Sequence, residues 1–110
     1  MEPKEREASV LILADGRAPF STWFASIKDI RASAAIRARI ARARAGNFGG
    51  HRLFRGIIEM RIDYGPGYRV YCGLHRDRLI ILIGGGTKKA QQADIERAVA
   101  LWEAYRDETT

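Results

Sequence analysis

Four side chains in the second half of the chain have the chemical character needed to act on a phosphate group. Arg61 and Arg69 lie in two alternating segments, and Tyr71 and Lys88 follow them along the chain. Guanidinium forks match phosphate oxygens in pairs, and cations stabilise the charge that develops on a phosphate during cleavage. The alternative is an ordinary solvated sheet face on which Arg69 is bonded to Asp63.

A β-hairpin is predicted to bring the two arginines together. Residues 57–64 and 68–73 alternate in polarity, and Gly65-Pro66-Gly67 between them is typical of a turn. Because alternating side chains lie on opposite faces, the register follows from superimposing the apolar faces. The predicted pairs are Ile62 with Val70, Met60 with Cys72, Arg61 with Tyr71, and Asp63 with Arg69. This register leaves the arginines and the tyrosine on one open face.

Length and charge limit the classes of protein to which the chain can belong. The chain has 110 residues, enough for a single domain (residues 1–110), and a formal net charge of +6. That charge favours a polyanion such as nucleic acid, or an acidic protein, over a merely basic soluble protein. The single cysteine excludes a disulfide within the chain and fits the cytoplasm. The apolar run at residues 10–14 is too short to span a membrane, and no metal site or cofactor is expected.

Helical periodicity predicts a hairpin of two helices after a first strand at residues 9–13. Pro19 suits the first position of the first helix. An apolar stripe follows at helical spacing, formed by Phe20, Trp23, Phe24, Ile27 and Ile30. We expect the helices to join near Ala32, with Ser33 capping the second and Gly46 ending it.

The second helix carries four arginines without acidic partners four residues away: Arg37, Arg39, Arg42 and Arg44. They are either a solvated face or a contact for RNA phosphates or an acidic partner protein. A glycine-rich loop at residues 47–51 then leads to Arg52 and Arg55, which extend the basic region towards the hairpin.

The last third of the chain reads as a buried strand and a final helix. Residues 79–83 are continuously apolar, as in a strand covered on both faces. Lys88 and Lys89 are predicted at the start of the helix, where the positive end of the helix dipole disfavours positive charge. Either an anion bound at that position stabilises the two lysines, or they are simply hydrated. The predicted fold is α+β, in the order β-α-α-β-β-β-α: a twisted, mainly antiparallel four-stranded sheet with a helical hairpin and a C-terminal helix.

Three groups of residues resemble the RelE/ParE toxin superfamily, and most closely its HigB-like addiction module killer protein branch. They are Gly46-Asn47-x-Gly49; Glu59-x-Arg61-Ile62-Asp63-x-Gly65-Pro66-Gly67-Tyr68-Arg69-Val70-Tyr71; and Gly85-Gly86-x-Lys88-x-x-Gln91 with Asp94-Ile95. The resemblance covers roughly residues 20–102, and the combination of the hairpin with Gly-Gly-x-Lys is its specific part.

The resemblance implies the toxin of a type II toxin–antitoxin pair. Such toxins resemble microbial ribonucleases, commonly bind the ribosome and cut messenger RNA there without a metal, and a small helix-turn-helix antitoxin is the expected partner. The matching catalytic positions are Arg61, Arg69 and Lys88. The expected RNA contacts are Arg52, Arg55, Tyr71, Lys89 and Gln91, and the expected antitoxin contacts are Arg37, Arg39, Arg42 and Arg44. Two alternatives stay open: a ParE-like toxin acting on DNA gyrase, and an inactive toxin-like binding module.

Overall fold

The computed structural model describes residues 4–109 as a mixed five-stranded sheet covered by helices on both faces. The strands lie in the order β1-β5-β4-β3-β2, and β1 is parallel to β5 whereas the other neighbours are antiparallel. The strands are β1 (Glu7–Val10), β2 (His51–Phe54), β3 (Ile57–Ile62), β4 (Tyr68–His75) and β5 (Leu79–Thr87). The helices are α1 (Pro19–Ser26), α2 (Ile30–Arg44) and α3 (Gln91–Thr109), and a 3-10 turn (Lys88–Ala90) precedes α3.

The predicted α+β class and the C-terminal helix are confirmed, but the four-stranded sheet was wrong. The missed strand is β2, which lies in the segment that sequence analysis treated as a loop. Phe54 pairs with Ile57, so only Arg55 and Gly56 form the turn, with φ of 45° and 92°. Tight hairpin turns need positive φ at both central residues, and Arg is an uncommon residue there. The turn therefore left little signal in the sequence.

The predicted β3–β4 register was wrong by two residues. The observed pairs are Ile58 with Cys72, Glu59 with Tyr71, Met60 with Val70, Arg61 with Arg69, and Ile62 with Tyr68. The connection spans residues 63–67, with Gly65 and Gly67 at positive φ, and is longer than the three-residue turn expected. A shift of two residues preserves the faces, because side-chain direction repeats every two residues.

The helical hairpin forms with different boundaries from those predicted. Helix α1 begins at Pro19 as expected, but the cap of α2 is Asp29, not Ser33, and its carboxylate accepts bonds from the N–H groups of Arg31 and Ala32. Asp29 is as good a cap as serine and comes earlier in the chain. The helices therefore join at residues 27–29, not near Ala32, and Ile30 is 81% exposed and lies outside the apolar stripe. Gly46, at φ 100°, follows the end of α2 as predicted.

Two hydrophobic cores lie on opposite faces of the sheet. Ile80 and Leu82 pack under the helical hairpin, whereas Ile81 and Ile83 pack under α3, so the apolar run is covered on both faces as predicted. The face expected to be open is the one that α3 covers. As a result, Glu59 and Tyr71 have no exposed surface. The first strand is also earlier than predicted, at Glu7–Val10.

Within residues 4–109, every helix is too short or too polar to cross a lipid bilayer.

Candidate functional site

The central pair of the candidate site is formed by two arginines on neighbouring strands. Arg61 of β3 lies directly opposite Arg69 of β4, a closer pairing than the sequence predicted. Like charges directly opposite one another disfavour a sheet pair. The two guanidinium groups have different neighbours: Arg61 lies near Gly50, and Arg69 donates from Nη1 to the carbonyl oxygen of Gly67 at 2.8 Å. A pair of this kind can be bridged by an anion.

Lys88 joins this pair through the hairpin turn. Tyr68 pairs with Thr87, so β5 delivers the 3-10 turn beside the start of β4. A Cβ added to Gly67 would lie 3.4 Å from Nη1 of Arg69 and 3.7 Å from Cβ of Lys88. Gly67 is therefore the point at which these two residues converge. We call Arg61, Arg69 and Lys88 the basic cluster.

The three members of the basic cluster differ in exposure. Arg61 and Lys88 are exposed, but the side chain of Arg69 is only 11% exposed, so the expectation that it lies on an open face was wrong. Its Nε lies 3.6 Å from Oε2 of Glu59, which is fully buried, and Gln91 donates to the same oxygen at 2.9 Å. The bond expected between Arg69 and Asp63 is replaced by this ion pair. Sequence analysis assigned no role to Glu59, although it is the only acidic residue between Arg31 and Arg61.

Tyr71 is also placed differently from the prediction. Its ring is fully buried in the core beneath α3, so it has no open face on which an RNA base could stack. Burial, and then the negative charges of Glu59 and Asp94, raise the pKa of the Tyr71 phenol far above its usual value. A hydrogen bond to Glu59 contributes to this rise, and the hydroxyl oxygen has no accessible surface.

A cleft of about 720 Å³ is lined in part by Tyr71. It lies between α1, the last residues of β5 and α3, and we call it the edge cleft. Trp23 and Leu101 contribute apolar walls, Tyr71 and Asp94 contribute polar groups, and Gly84 lines the β5 side. Strand β1 pairs with β5 only as far as Leu82, so no described strand covers this side of residues 83–87.

The arginines of α2 do not form one solvated face. Arg37, Arg42 and Arg44 are exposed, but Arg39 is only 6% exposed. Its guanidinium donates to the carbonyl oxygens of Phe48, Gly50 and Arg61, and burial lowers its pKa. Arg39 therefore ties α2 to the chain that enters β2, and its burial leaves little of its surface for the antitoxin contact that the sequence predicted.

A curated relative comes from Haemophilus influenzae and is described as an uncharacterized protein. It is 46% identical to this chain over 83 residues, which cover 74% of this chain and 84% of the relative. This chain belongs to the family of that protein. No protein-family model matches the chain, and no solved structure matches it.

Three of the remaining predicted RNA contacts lie at the surface, and the fourth bonds a buried group. Arg52 and Lys89 are exposed, and the Arg52 guanidinium lies 4.4 Å from the centroid of the Phe54 ring. Arg55 is exposed and donates to Glu103 at 3.1 Å. Gln91 donates a hydrogen bond to the buried Glu59, which in turn is the ion-pair partner of Arg69.

Each histidine has a hydrogen-bonding contact at Nδ1, and the cysteine is buried. His51 Nδ1 lies 2.8 Å from the carbonyl oxygen of Gly49, and His75 Nδ1 lies 3.1 Å from the hydroxyl of Tyr105. Burial raises the pKa of the Cys72 thiol to about 12, so it stays protonated at neutral pH. The chemistry that the arrangement supports is binding an anion and stabilising charge on it.

Proposed function

We propose that this protein is a RelE/ParE-like toxin of a type II toxin–antitoxin pair and acts as a messenger RNA endoribonuclease on the ribosome. The proposal rests on the motif resemblance together with one structural observation. That observation is the direct pairing of Arg61 with Arg69, with Lys88 brought to the same place by Gly67. A cross-strand arginine pair lowers sheet stability, and a bound phosphate would offset that cost.

The proposed reaction needs no metal or cofactor. The 2′-hydroxyl oxygen of a ribose forms a bond to the adjacent phosphorus, and the bond from phosphorus to the 5′ oxygen of the next nucleotide breaks. The proton of the 2′-hydroxyl passes to a base, and the leaving 5′ oxygen receives a proton from an acid. Arg61 and Lys88, the exposed members of the basic cluster, stabilise the negative phosphorane, and Arg69 provides a fixed charge beside them.

The buried pair of Glu59 and Arg69 has a positioning role in this proposal. Glu59 is fully buried, so its carboxylate holds Arg69 rather than contacting RNA directly. A guanidinium held in advance needs no reorganisation when charge develops on the phosphate.

The proposal is tested by mapping messenger RNA cleavage on translating ribosomes, with thermal melts of every variant. We expect Arg61→Ala and Lys88→Ala each to reduce cleavage by about a hundredfold or more. Arg78→Ala, which removes the same charge from an exposed turn, is the matched control and should cleave normally. Full cleavage by both folded variants would overturn the proposal, and growth arrest without messenger cleavage would favour the gyrase alternative.

A second candidate is a toxin-like module that binds an antitoxin or RNA without cutting it. The observation that favours it is the 11% exposure of the Arg69 side chain, which leaves two cations of the cluster open to solvent. On this reading the wild-type protein leaves messenger RNA intact but binds single-stranded RNA. The log of its affinity should fall with log salt at about −0.7 per phosphate contact.

A further inference from the structure

A cavity of about 380 Å³ lies between α2 and the end of β3, and we call it the α2–β3 pocket. Three arginines line it: Arg39, Arg42 and Arg61. Among the described residues, the one carboxylate in its lining is that of Asp63. The pocket shares Arg61 with the basic cluster, but the proposed cleavage reaction assigns it no role.

Arg39 brings a buried positive charge to this pocket. The residue is 6% exposed, and its guanidinium donates to backbone carbonyl oxygens, which carry no net charge. No salt bridge joins Arg39 to a carboxylate within residues 4–109, and Asp63 acts on it only from a longer distance. Charges removed from water are normally paired in folded proteins, so a counterion is expected close to Arg39.

Two exposed side chains, Arg42 and Arg61, add further positive charge to the same pocket. Neither forms a salt bridge in the part of the chain that the structure describes. Burial, and then the positive charge of Arg42, lower the pKa of Arg39, so the two arginines repel each other. Three cations and one carboxylate leave an excess of positive charge, which a bound anion would offset.

Hydrogen bonds fix the wall that separates the pocket from the basic cluster. Nε of Arg39 donates to the carbonyl oxygen of Arg61 at 3.2 Å, and Nη2 donates to that of Gly50 at 3.0 Å. The backbone N–H of Arg61 donates to the same Gly50 oxygen at 3.3 Å. A Cβ added to Gly50 would lie 3.5 Å from Nη2 of Arg61. The Arg61 guanidinium therefore lies beside a wall of the pocket while its backbone faces Arg69 on β4.

The lining of the pocket suits a phosphate group better than a nucleobase. Its apolar part is formed by Ala35, Ala38 and Ile62, and none of its lining residues in the described chain is aromatic. Proteins hold unpaired bases mainly by stacking them on aromatic rings, which this pocket does not offer. Guanidinium groups, in contrast, match the oxygens of a phosphate.

We propose that the α2–β3 pocket binds a backbone phosphate of single-stranded RNA, next to the phosphate that the basic cluster holds. Arg42 and Arg61 contact the phosphate oxygens. Arg39 contributes its charge from the wall, where its Nη1 is closed off from solvent. The choice of RNA as the ligand rests on the proposed function, whereas the affinity for an anion rests on the charges of the pocket. Phosphate contacts of this kind fix the position of a strand without reading its sequence.

Helix α2 offers two matched pairs of variants. Arg42 and Arg44 are both exposed in its last turn, where the helix dipole favours a cation, but only Arg42 lines the pocket, so Arg44→Gln is the control for Arg42→Gln. Ala38 and Ala41 are both exposed, and each lies four residues from an arginine of the same helix. Only Ala38 lines the pocket, so Ala41→Glu is the control for Ala38→Glu, which places a negative charge where the phosphate binds.

The experiment is titration of the full chain with labelled oligouridine and oligoadenosine of equal length, without ribosomes, at several salt concentrations. Every variant also carries Lys88→Ala, which keeps the RNA uncut. Arg42→Gln and Ala38→Glu should each make the slope of log affinity against log salt shallower by about 0.7, the value of one phosphate contact.

At low salt, both pocket variants should bind roughly threefold to tenfold more weakly, between the effect of an exposed ion pair and that of a charge-assisted hydrogen bond. The loss should be the same for both oligonucleotides, and Arg44→Gln and Ala41→Glu should bind like their parent. Unchanged binding in both pocket variants, an equal loss in the controls, or a loss confined to one oligonucleotide overturns the proposal.

A second arm distinguishes an RNA strand from a free anion. Inorganic phosphate should bind roughly a hundredfold more weakly than the strand, because the strand also engages the basic cluster. Phosphate that binds as tightly as RNA and is lost in Ala38→Glu would assign the pocket to a free anion and overturn the RNA proposal. Absence of messenger cleavage by the wild type would refute the proposed function but leave the salt slopes standing. Normal cleavage with unchanged slopes would overturn only the role of the pocket.

Discussion

Nε of Arg69 lies 3.6 Å from Oε2 of Glu59, and the two side chains are 11% and 0% exposed. Glu59 precedes Arg61 by two residues on β3, so this ion pair adjoins the position where Arg61 faces Arg69. A buried ion pair stabilises little by itself, but removing one partner leaves an uncompensated charge. Arg69 is therefore a structural residue as well as a candidate phosphate ligand, and the two roles must be tested separately.

Arg69→Ala should lower the free energy of unfolding by roughly 3 kcal/mol, because it leaves Glu59 buried without its partner. Arg61→Ala, at the opposite but exposed position, should change it by no more than about 0.5 kcal/mol. Urea unfolding of both variants measures the difference. The double variant Glu59→Met with Arg69→Met should recover part of the loss, and equal stability of the two single variants would contradict the ion-pair argument.

Arg39→Ala should also destabilise the fold, by roughly 2 kcal/mol or more. The substitution removes charge-assisted hydrogen bonds to the carbonyl oxygens of Phe48 and Gly50, which hold the loop before β2 against α2. Arg37→Ala, on the same helix but exposed, is the control and should melt like the wild type. A melting temperature for Arg39→Ala that matches that of Arg37→Ala would show that these bonds contribute nothing.

If an acidic antitoxin covers α2, its contacts are the exposed arginines and not Arg39. Arg37→Glu together with Arg42→Glu should weaken the complex and reduce its dependence on salt, because two cations are lost from the interface. Co-purification at two salt concentrations measures this effect. An antitoxin complex of unchanged affinity would place the interface elsewhere.

Two neighbouring glycines of β5 should respond in opposite ways to alanine. A Cβ on Gly85 would overlap the Trp23 ring, so Gly85→Ala should cost about 1–3 kcal/mol through overpacking. A Cβ on Gly84 meets open space, so Gly84→Ala should be neutral or stabilise the protein by up to about 1 kcal/mol. Thermal melts compare the pair, and equal losses would show that Trp23 does not pack as described.

Asp77 should contribute stability that depends on pH. Hydrogen bonds from Lys4, and then from Arg6, lower the pKa of its carboxyl to about 2 from 3.8. Because the folded-state pKa is depressed, the contribution is fully present above pH 3.8 and is lost as the pH falls towards 2. Asp77→Asn should melt at a lower temperature than the wild type at pH 7, and the difference should shrink in acid and in high salt. A difference independent of pH would exclude the carboxylate as its cause.

The sequence by itself determined the features that depend on local chemistry. The alternation of polar and apolar residues in 57–62 and 68–72 determined which side chains share a face of the sheet. This assignment is correct even though the predicted pairing of β3 with β4 was shifted by two residues. Pro19 located the start of α1, Gly46 lay just beyond the end of α2, and the run at residues 79–83 was recognised as a doubly covered strand. Each of these signals is contained in a few neighbouring residues.

Only the tertiary structure decided which polar groups are buried and which meet. The covering of one sheet face by α3 buried Glu59 and Tyr71, and the packing of α2 buried Arg39, because these contacts join residues far apart in the chain. Strand β2 was hidden because its turn uses an arginine at positive φ, where glycine or asparagine would have marked it. The edge cleft depends on three elements that approach one another only in the folded chain, so no local pattern could predict it.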